Sequence, residues 1–384
     1  MKTVQFVGPA LTQSGYGVHS RQVIRWLMSR EDVDLRVLAT PWGDTPWLLN
    51  SDNENGLIGE IMRRTVNKQD AADISIQLQL PNEWNPNLAK TNIGITAAIE
   101  TDKCNNKWPV CCNRMSTVVF PSEHAKASIT NVQEIENALV IPEAYHSSVT
   151  SPTNVNAFEF DTKFNFLIFG QITGNNPLND RKNTFLTIKW LCETFKDNKD
   201  VGIVIKTNAG RNSKIDRTIV TNMMNSLLNE VRKGPYPKIH LLHGDLSNDD
   251  VSNLYSNPGI KALISLTRGE GYGLPTLEAA VAGLPVVATN WSGHLDYLKK
   301  GKFISIFYQL NEVHHTRIDD NLFVKGARWA NPSEEDFKRK IKKFYDSPTT
   351  PTQWAKDLSE ILKVEYSQEA INKLYDENLG KYFL

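Results

Sequence analysis

Residues 261–289 read KALISLTRGEGYGLPTLEAAVAGLPVVAT, and this stretch decides the fold. Its first seven residues form a short apolar run with β-branched side chains, which predicts a buried strand. A glycine-rich loop follows, and Pro275 favours the first position of a helix, where its missing N–H costs nothing. Gly283 ends that helix, and residues 285–289 form the next strand. Strand, helix and strand predict a βαβ unit, whose parallel pairing needs such a crossover.

The loop of this unit predicts a site for an anion. Glycine lets a backbone approach its ligand closely, and the N-terminus of the next helix offers N–H groups and the positive end of a dipole. Two carboxylates flank the site, Glu270 in the loop and Glu278 in the helix. Because an ionised carboxylate only accepts hydrogen bonds, we expect both to face hydroxyl groups. A nucleotide sugar, with phosphates between two polyols, fits this pattern. The alternative is a buried βαβ unit with incidental acids.

The residues from Glu270 to Glu278, EGYGLPTLE, resemble the E-x7-E signature of retaining glycosyltransferases of the GT-B fold, glycosyltransferase family 4. The similarity continues to Pro285. It implies that Glu270 lies by the donor sugar and that Glu278 binds the ribose hydroxyls. It also implies that backbone amides of the loop between them hold the diphosphate. The candidate residues of that loop are Gly271, Tyr272, Gly273, Leu274 and Thr276.

The bulk composition is that of a soluble globular protein. At 384 residues the chain is too long for one ordinary core, so we expect two domains. The formal net charge is zero, which indicates neither nucleic acid nor an anionic membrane as an obligatory partner. No apolar run approaches the length that crosses a bilayer, so we expect a cytoplasmic protein, with peripheral association with a membrane left open.

The cysteines predict free thiols. Cys104, Cys111, Cys112 and Cys192 do not suggest a disulfide framework in a chain of this size, which points to a reducing compartment. The first three lie close enough in sequence for a metal site. However, no Cys-x-x-Cys spacing or paired histidine supports one.

The start of the chain predicts a second unit of strand, glycine-rich loop and helix. Residues 3–7 form the strand, the loop contains Gly15 and Gly17, and residues 19–30 form an amphipathic helix. In the family this loop approaches the donor phosphate and the acceptor, so the resemblance makes both glycines candidate binding residues. The basic residues of the helix are Arg21, Arg25 and Arg30. We interpret this basic face as solvated, the alternative being contact with an anionic membrane.

A strand at residues 92–99 ends in a polar cluster, where ligands bind in an open α/β sheet. Many members of the family have a histidine after this strand. Here Glu100 and Asp102 stand in its place, so Glu100 is the candidate on the acceptor side. Asp32 and Asp34 form a D-x-D pair, but they begin a strand far from the nucleotide motif. That position favours a solvated turn over a metal site.

Two cations predict a further part of the anion site. A strand at residues 165–169 is followed by a loop with Arg181 and Lys182, just before a helix. Paired cations at a helix start oppose the dipole, so we expect an anion between them. The family places an Arg and a Lys on the donor diphosphate here. Lys182 matches that Lys, whereas Gln171 stands where the Arg usually lies, so Arg181 would supply its charge.

The remaining candidates follow the next strands. Lys206 comes directly after a strand at residues 201–205 and is a second candidate for the phosphates, the alternative being a solvated surface charge. In the family, the residues after the strand at 239–242 flank the nucleobase. The resemblance therefore makes His243 and Leu246 candidates for that role.

Together these inferences predict an α/β protein of the GT-B fold, with two Rossmann-like domains facing across a cleft. The expected domains are 1–150 on the acceptor side and 160–366 on the nucleotide side, with a last helix at 367–384 packing back on the first. The resemblance implies transfer of a sugar from a nucleoside diphosphate sugar with retained anomeric configuration. The leaving phosphate would help to take the acceptor proton, so neither a protein nucleophile nor a metal or other cofactor is implied.

The acceptor stays open among a glycan, a lipid and a small molecule, and so does the oligomeric state. Three other functions are compatible with the sequence: a nucleotide-sugar epimerase, a binding protein that keeps only the donor site, and a viral-type enzyme that glucosylates DNA bases. The neutral charge counts against DNA, because duplex binding depends on phosphate contacts.

Overall fold

The computed structural model describes residues 1–67, 71–171, 176–208 and 213–384. Part of the loop after the strand predicted at 165–169, residues 172–175, therefore lies outside the described residues. The chain divides into two compact units. Unit 1 consists of residues 1–144, 320–324 and 368–384, and unit 2 consists of residues 145–319 and 325–367.

Unit 1 is built on a parallel sheet. Its helices and strands are β1 Lys2–Gly8, α1 Gly15–Met28, β2 Val33–Ala39, α2 Leu57–Arg63, β3 Ala72–Leu78, β4 Ala89–Ile95, α3 Lys107–Cys112, β5 Thr117–Phe120, α4 Glu123–Thr130, β6 Ala138–Val140 and α12 Gln368–Leu379. Among the described residues, the strand order is β2-β1-β3-β4-β5-β6 with every pairing parallel. Val4 and Phe6 of β1 are fully buried, as expected for a parallel sheet, which is covered on both faces.

Unit 2 repeats this plan and adds a hairpin. Its helices and strands are β7 Phe164–Phe169, α5 Thr184–Thr194, β8 Val201–Thr207, α6 Lys214–Val231, β9 Lys238–His243, α7 Asn248–Tyr255, β10 Ile260–Ser265, α8 Leu274–Val281, β11 Val286–Thr289, α9 Leu295–Leu298, β12 Ile304–Ile306, β13 Tyr308–Glu312, β14 Arg328–Pro332, α10 Glu334–Asp346 and α11 Thr349–Glu365. The described strands of the parallel sheet lie in the order β12-β11-β10-β7-β8-β9. Strands β13 and β14 form a separate antiparallel pair.

The strand order of unit 2 brings two distant loops together. The chain runs outward from β7 to β9, returns to β10 beside β7, and then runs outward in the other direction. The loops after β7 and β10 therefore leave the same edge of the sheet at its topological switch point. This is where ligands bind in open α/β sheets, because the two connections diverge and leave a crevice.

The first helix begins earlier than the sequence predicted. It starts at Gly15, because the hydroxyl of Ser14 accepts the N–H of Gly17 at 2.9 Å and caps the first turn. A Cβ on Gly17 would lie 2.2 Å from the carbonyl oxygen of Thr12, so the helix packs too closely on the preceding loop for any side chain there. The assignment of Gly15 and Gly17 to a loop was therefore wrong, and both belong to the first turn of α1.

The solvated basic face predicted for this helix was also wrong for its central residue. Arg21 is buried, and its guanidinium donates to the carbonyls of Ala10 at 3.0 Å and Thr12 at 2.9 Å. Its charge is balanced by Glu54, which also accepts from Arg25 at 2.9 Å. These bonds fix the loop between β1 and α1, so Arg21 is available neither to water nor to a membrane.

Helix α12 belongs to the core of unit 1. Tyr375 stacks on Trp26 of α1 with ring centroids 4.8 Å apart, and the indole N–H donates to Asp376 at 2.9 Å. Ile371 and Leu379 complete the buried face of this helix. The end of the chain therefore stabilises the helix that follows the first strand.

Some broader features concern the described residues as a whole. Within them, no helix is long and apolar enough to cross a membrane, and no group of three or more His, Cys, Asp or Glu side chains is arranged to hold a metal ion. The four cysteines carry free thiols. Burial raises the pKa of Cys104 to about 12 and that of Cys192 to about 11, so both are protonated near neutral pH.

Candidate functional site

A carboxylate held between two cations forms the centre of the candidate site. Glu270 follows β10, and Arg181 and Lys182 follow β7 just before α5. The ammonium of Lys182 lies 2.7 Å from one carboxylate oxygen of Glu270, and the guanidinium of Arg181 lies 3.3 Å from the other. The carboxylate of Glu270 therefore lies between the two cations, and the predicted binding of a diphosphate there stays a prediction.

Reciprocal hydrogen bonds fasten the two loops together. The backbone N–H of Arg268 donates to the carbonyl of Arg181 at 2.8 Å. The guanidinium of Arg181 donates in return to the carbonyl of Gly269 at 2.7 Å. Because the first of these bonds joins backbone to backbone, the spacing between the loops does not depend on the ion pair alone.

The guanidinium of Arg268 holds the loop that carries the cations. It is buried, donates to the carbonyl of Leu178 at 2.7 Å, and lies over the ring of Trp329 at 5.3 Å from the centroid. Burial lowers the pKa of Arg268 to about 10, with the nearby charge of Asp180 acting in the opposite direction. Arg268 therefore stays charged at neutral pH. It positions the loop that carries Lys182 through Leu178, and no hydrogen bond joins Arg268 to Lys182 among the described residues.

The main chain of Glu270 is fixed from a third direction. Its N–H donates to the hydroxyl of Ser292 at 3.0 Å, and its carbonyl accepts the N–H of Gly293 at 3.0 Å. Beneath them the buried ring of His294 pairs with the carbonyl of Thr289 at 2.7 Å. The carboxylate is consequently pre-organised by a short turn that follows β11.

Glu270 is ionised although it is nearly buried. Its side chain is 11% exposed. Burial alone would raise the pKa of Glu270, but the charges of Lys182 and Arg181 outweigh it and lower the pKa to about 2. At neutral pH the three side chains therefore carry two positive charges and one negative charge. One positive charge is left for a further anion.

The second carboxyl group of the signature has the opposite shift. Glu278 is half-buried in α8, and burial raises its pKa to about 7, although hydrogen bonds from the backbone of His146 and the hydroxyl of Tyr255 act to lower it. The Tyr255 hydroxyl lies 3.4 Å from the carboxylate. Near neutral pH Glu278 is a mixture of both protonation states, so it can donate as well as accept hydrogen bonds.

The start of α8 differs from the sequence prediction. The helix begins at Leu274, after Gly273 with a φ of +92°, so Pro275 occupies its second position instead of its first. Pro275 has no N–H, and the N–H groups of Thr276 and Leu277 donate to the Gly273 carbonyl at 2.9 and 3.1 Å. Among these four helix positions, only the N–H of Leu274 has no acceptor within the described residues. Of these positions, Leu274 can therefore offer its N–H group to an anion at the start of α8.

The loop between the two acids is anchored in the core. Tyr272 is buried, and its ring lies 5.4 Å from that of Tyr297 in an edge-to-face arrangement. The hydroxyl of Tyr297 donates to the carbonyl of Gly273 at 2.7 Å. The side chain of Tyr272 thus supports the loop, and Gly271 lies between it and Glu270.

A small cavity collects several of the predicted residues. Lys182, Glu270, Gly273 and Thr276 line it, together with Phe169 at the end of β7. Its volume is about 20 Å³, which is room for about one water molecule. The structure therefore places these four predicted residues around one point next to the N-terminus of α8.

Lys206 and His243 lie at the ends of the next two strands. Lys206 is 7% exposed, so the alternative of a solvated surface charge was wrong. Burial lowers the pKa of Lys206 to about 8, whereas the charge of Asp245 acts to raise it. Burial and the charge of Lys206 lower the pKa of His243, whose Nε2 is buried without a hydrogen-bond partner among the described residues. Leu246 packs partly buried against the core of the unit.

Glu100 lies in unit 1, beyond the end of β4. The strand ends at Ile95, four residues before its predicted end, and Ala98 has a φ of +51°. Near this turn the hydroxyl of Tyr16 pairs with Thr96 at 3.1 Å. The ring of Tyr16 stacks on Trp42 with centroids 3.8 Å apart. Glu100 is close enough to Tyr16 for its charge to contribute to the raised pKa of that hydroxyl, which is due mainly to burial.

Sequence reasoning missed several residues that build this site. They are Asp180, Tyr255, Arg268, Ser292 and His294. Arg268 had a usable signal, since it is a charged residue directly after a buried strand and two positions before Glu270. The others act through partners far away in the sequence, so no local pattern indicates them.

Residues 222–360 match the family model described as Glycosyl transferases group 1. The matched stretch contains Glu270, Glu278 and the whole of α8, whereas Arg181 and Lys182 precede it. No curated protein matches the chain.

Several solved structures share the fold across nearly the whole chain. HepE from Anabaena, in complex with UDP and glucose, has a TM-score of 0.69 and 12% identity over 99% of this chain and 100% of its own. Sucrose-phosphate synthase from Thermosynechococcus elongatus has a TM-score of 0.65 and 11% identity over 100% of this chain and 99% of its own. A glycosyltransferase from Rickettsia africae has a TM-score of 0.63 and 14% identity, with 98% of each chain covered.

These comparisons confirm the predicted fold class. At such low identities the likeness to the solved structures shows the fold alone, which is the GT-B type with two Rossmann-like domains of parallel sheets. The partial family match and this fold together support a GT-B glycosyltransferase.

Proposed function

We propose that this protein is a glycosyltransferase that takes its sugar from a nucleoside diphosphate sugar. The observation that carries the proposal is the ionised Glu270 carboxylate between Lys182 and Arg181 at the switch point of unit 2. Cations suit the phosphates of such a donor, and carboxylates suit its hydroxyl groups. Glu278, eight positions further along the chain, offers a second group for hydroxyls.

The proposed chemistry is electrostatic. As the bond between the sugar and the diphosphate breaks, negative charge builds on the leaving oxygens, and Lys182 and Arg181 stabilise it. Such stabilisation is strong in a site shielded from water and is usually the largest single contribution to catalysis. When the two cations turn toward the phosphates, the Glu270 carboxylate is released to accept hydrogen bonds from the sugar.

We further propose that the anomeric configuration is retained, on the basis of the resemblance of residues 270–278 to the E-x7-E signature. The acceptor hydroxyl would attack on the face from which the diphosphate leaves and pass its proton to the departing phosphate. Lys182 and Arg181 supply the positive charge that a divalent metal supplies elsewhere, so we expect transfer to continue in the presence of a chelator such as EDTA.

The first donor to test is UDP-glucose, since HepE, which shares the fold, was solved with UDP and glucose. For the acceptor we propose a glycan. The stacked rings of Tyr16 and Trp42 beside Glu100 combine an aromatic surface with a carboxylate, and a sugar ring offers apolar C–H groups and hydroxyls to such a pair.

A transfer assay tests the proposal. The purified protein is incubated with UDP-, GDP- and ADP-glucose and a panel of oligosaccharides, and release of the nucleoside diphosphate is measured. The product is then analysed by proton NMR. We expect one donor to be consumed and the glycosidic bond of the product to have the anomeric configuration of that donor.

Each other outcome points elsewhere. Tight donor binding with no release of nucleoside diphosphate would identify a binding protein. Recovery of an isomerised nucleotide sugar would identify an epimerase, and an inverted product would contradict retention. Transfer to duplex DNA alone would identify a DNA-modifying enzyme.

A further inference from the structure

The hairpin of β13 and β14 is attached directly to the candidate site. The N–H of Ala330 on β14 donates to the carbonyl of Arg268 at 2.9 Å, and the Arg268 guanidinium lies over the ring of the adjacent Trp329. Arg268 also bonds to the loop that carries Lys182, as described above. The hairpin and the two cation-bearing loops are therefore parts of one connected structure.

The connection between β13 and β14 contributes a third cation. Arg317 lies on a short turn after β13, where its N–H donates to the carbonyl of His314 at 2.8 Å. Its side chain lines a cavity of about 180 Å³ together with Arg181 and Lys182. The remaining lining residues are Gln171, Asn179 and Asp180. This cavity is about nine times as large as the one between Lys182 and Thr276, as 180 and 20 Å³ show.

The charged residues that line this cavity favour an anion. Arg181 and Lys182 carry two positive charges, and Glu270 cancels one of them. Asp180 adds a negative charge to the wall, but the buried guanidinium of Arg268 lies close enough to offset it. Arg317 adds a third cation to the wall, and the diphosphate of a nucleotide sugar is an anion that such a wall can bind.

We propose that Arg317 is a third binding residue for the diphosphate of the donor, supplied by the β13–β14 hairpin. The proposal rests on the proposed function, because it assumes a diphosphate ligand at Lys182 and Arg181. A guanidinium suits the role because its planar group of N–H donors can bind two phosphate oxygens at once. Arg317 would hold the leaving group together with Arg181 and Lys182, from an element that the E-x7-E signature does not include.

The test is nucleotide binding by calorimetry in three variants of the hairpin and in Lys182→Ala. Wild type is first titrated with UDP, GDP and ADP, and the tightest of these is used throughout. Arg317→Gln removes the charge at similar size, and Arg317→Lys keeps the charge but loses the planar group of donors. Arg328→Gln is the matched control, because Arg328 is an exposed arginine on the same hairpin.

We expect Arg317→Gln to lower the affinity for the nucleoside diphosphate by at least about tenfold, which is the usual effect of losing a hydrogen bond to a charged group. Arg317→Lys should recover part of this loss, and Arg328→Gln should bind like wild type. The affinity of Arg317→Gln should also depend less steeply on salt concentration, since one phosphate contact is lost.

The outcomes separate the two proposals. If wild type binds none of the three nucleotides, the proposed function fails. If Lys182→Ala weakens binding but Arg317→Gln binds like wild type, the donor site stands and Arg317 is an ordinary solvated arginine. Equal losses in Arg317→Gln and Arg328→Gln would also overturn the inference, because they would indicate a general effect of the charge of the hairpin.

Discussion

The ammonium of Lys182 lies 2.7 Å from the carboxylate of Glu270, although the two residues are 88 positions apart in the sequence. The strand order of unit 2 makes this contact possible, because β7 and β10 are neighbours and their loops leave the same edge of the sheet. The contact holds the side chain of Lys182 in place, but it also means that a phosphate must compete with Glu270 for the cation.

Because of this competition, we expect Glu270→Gln to strengthen nucleotide binding and to slow transfer. The substitution removes the carboxylate that pairs with Lys182 and Arg181. We therefore expect the nucleoside diphosphate that wild type binds to be bound several-fold more tightly by the variant. The rate of transfer should fall by at least about tenfold, because the sugar loses a charged hydrogen-bond acceptor. Calorimetry and the transfer assay measure the two effects.

Glu193→Gln on the exposed side of α5 is the control and should change neither quantity. Weaker nucleotide binding in Glu270→Gln would contradict the competition between carboxylate and phosphate.

Glu278 makes the stability of the fold dependent on pH. Its pKa is about 7 in the folded protein and near 4.5 when the chain is unfolded. Between these values the folded state binds more protons than the unfolded state, so the free energy of unfolding falls as pH rises from about 4.5 to about 7. Glu278→Gln removes the titrating group. We therefore expect the free energy of unfolding of the variant, relative to that of wild type, to be about 2 kcal/mol higher at pH 8 than at pH 5.

Urea denaturation at both pH values measures this gain, with Glu335→Gln on the exposed start of α10 as the control. A constant difference between Glu278→Gln and wild type at pH 5 and pH 8 would show that the carboxyl group is not shifted.

Arg268 should be needed for both stability and transfer. Arg268→Gln leaves the carbonyl of Leu178 without its donor and removes the charge of Arg268 near Asp180, and breaking a buried charged contact costs about 3 kcal/mol or more. Arg268→Lys keeps the charge but cannot reach Leu178 while covering Trp329 with a planar group, so we expect it to restore little. Urea denaturation and kcat are the measurements.

Arg339→Gln is the control, since the side chain of Arg339 is 65% exposed on α10. If Arg268→Gln had the same free energy of unfolding and the same kcat as this control, the positioning role of Arg268 would be wrong.

Two glycines of α1 should respond differently to alanine. Gly17→Ala places a methyl group 2.2 Å from the carbonyl oxygen of Thr12, so the helix must shift, at a cost of about 1–3 kcal/mol. Gly15→Ala meets no atom within 4 Å and should be neutral or slightly stabilising. Thermal denaturation of the two variants tests this difference. Similar melting temperatures would mean that the first turn of α1 is looser than the structure indicates.

The parts of the site that could be predicted from sequence are those with local signals. The bounds of the βαβ unit were predicted to within two residues, from the apolar run of β10 and from Pro275 and Gly283. The pair of acids within the unit indicated the loop that faces the ligand. Arg181 and Lys182 could be predicted as binding residues because their charges oppose the dipole of the next helix. In each case neighbouring residues carried the whole pattern.

The parts that escaped prediction depend on distant partners. Arg268 acts on Leu178, 90 positions away, and nothing in the sequence near either residue indicates this bond. Strand β13, YQLNE, alternates between apolar and polar residues, but its partner β14, RWANP, does not, so no local pattern indicates their pairing. The early start of α1 follows from a cap by Ser14, which sits inside a glycine-rich segment that resembles a loop.

The most direct test of the whole account is the affinity of a nucleoside diphosphate for Lys182→Ala, compared with wild type and with Lys189→Ala. Lys189 lies on α5, the helix that follows Lys182, with a side chain that is 41% exposed. The account predicts that Lys182→Ala weakens the nucleotide that wild type binds by at least about tenfold, while Lys189→Ala binds like wild type. Equal affinity in Lys182→Ala and wild type would contradict the assignment of this site to the donor diphosphate.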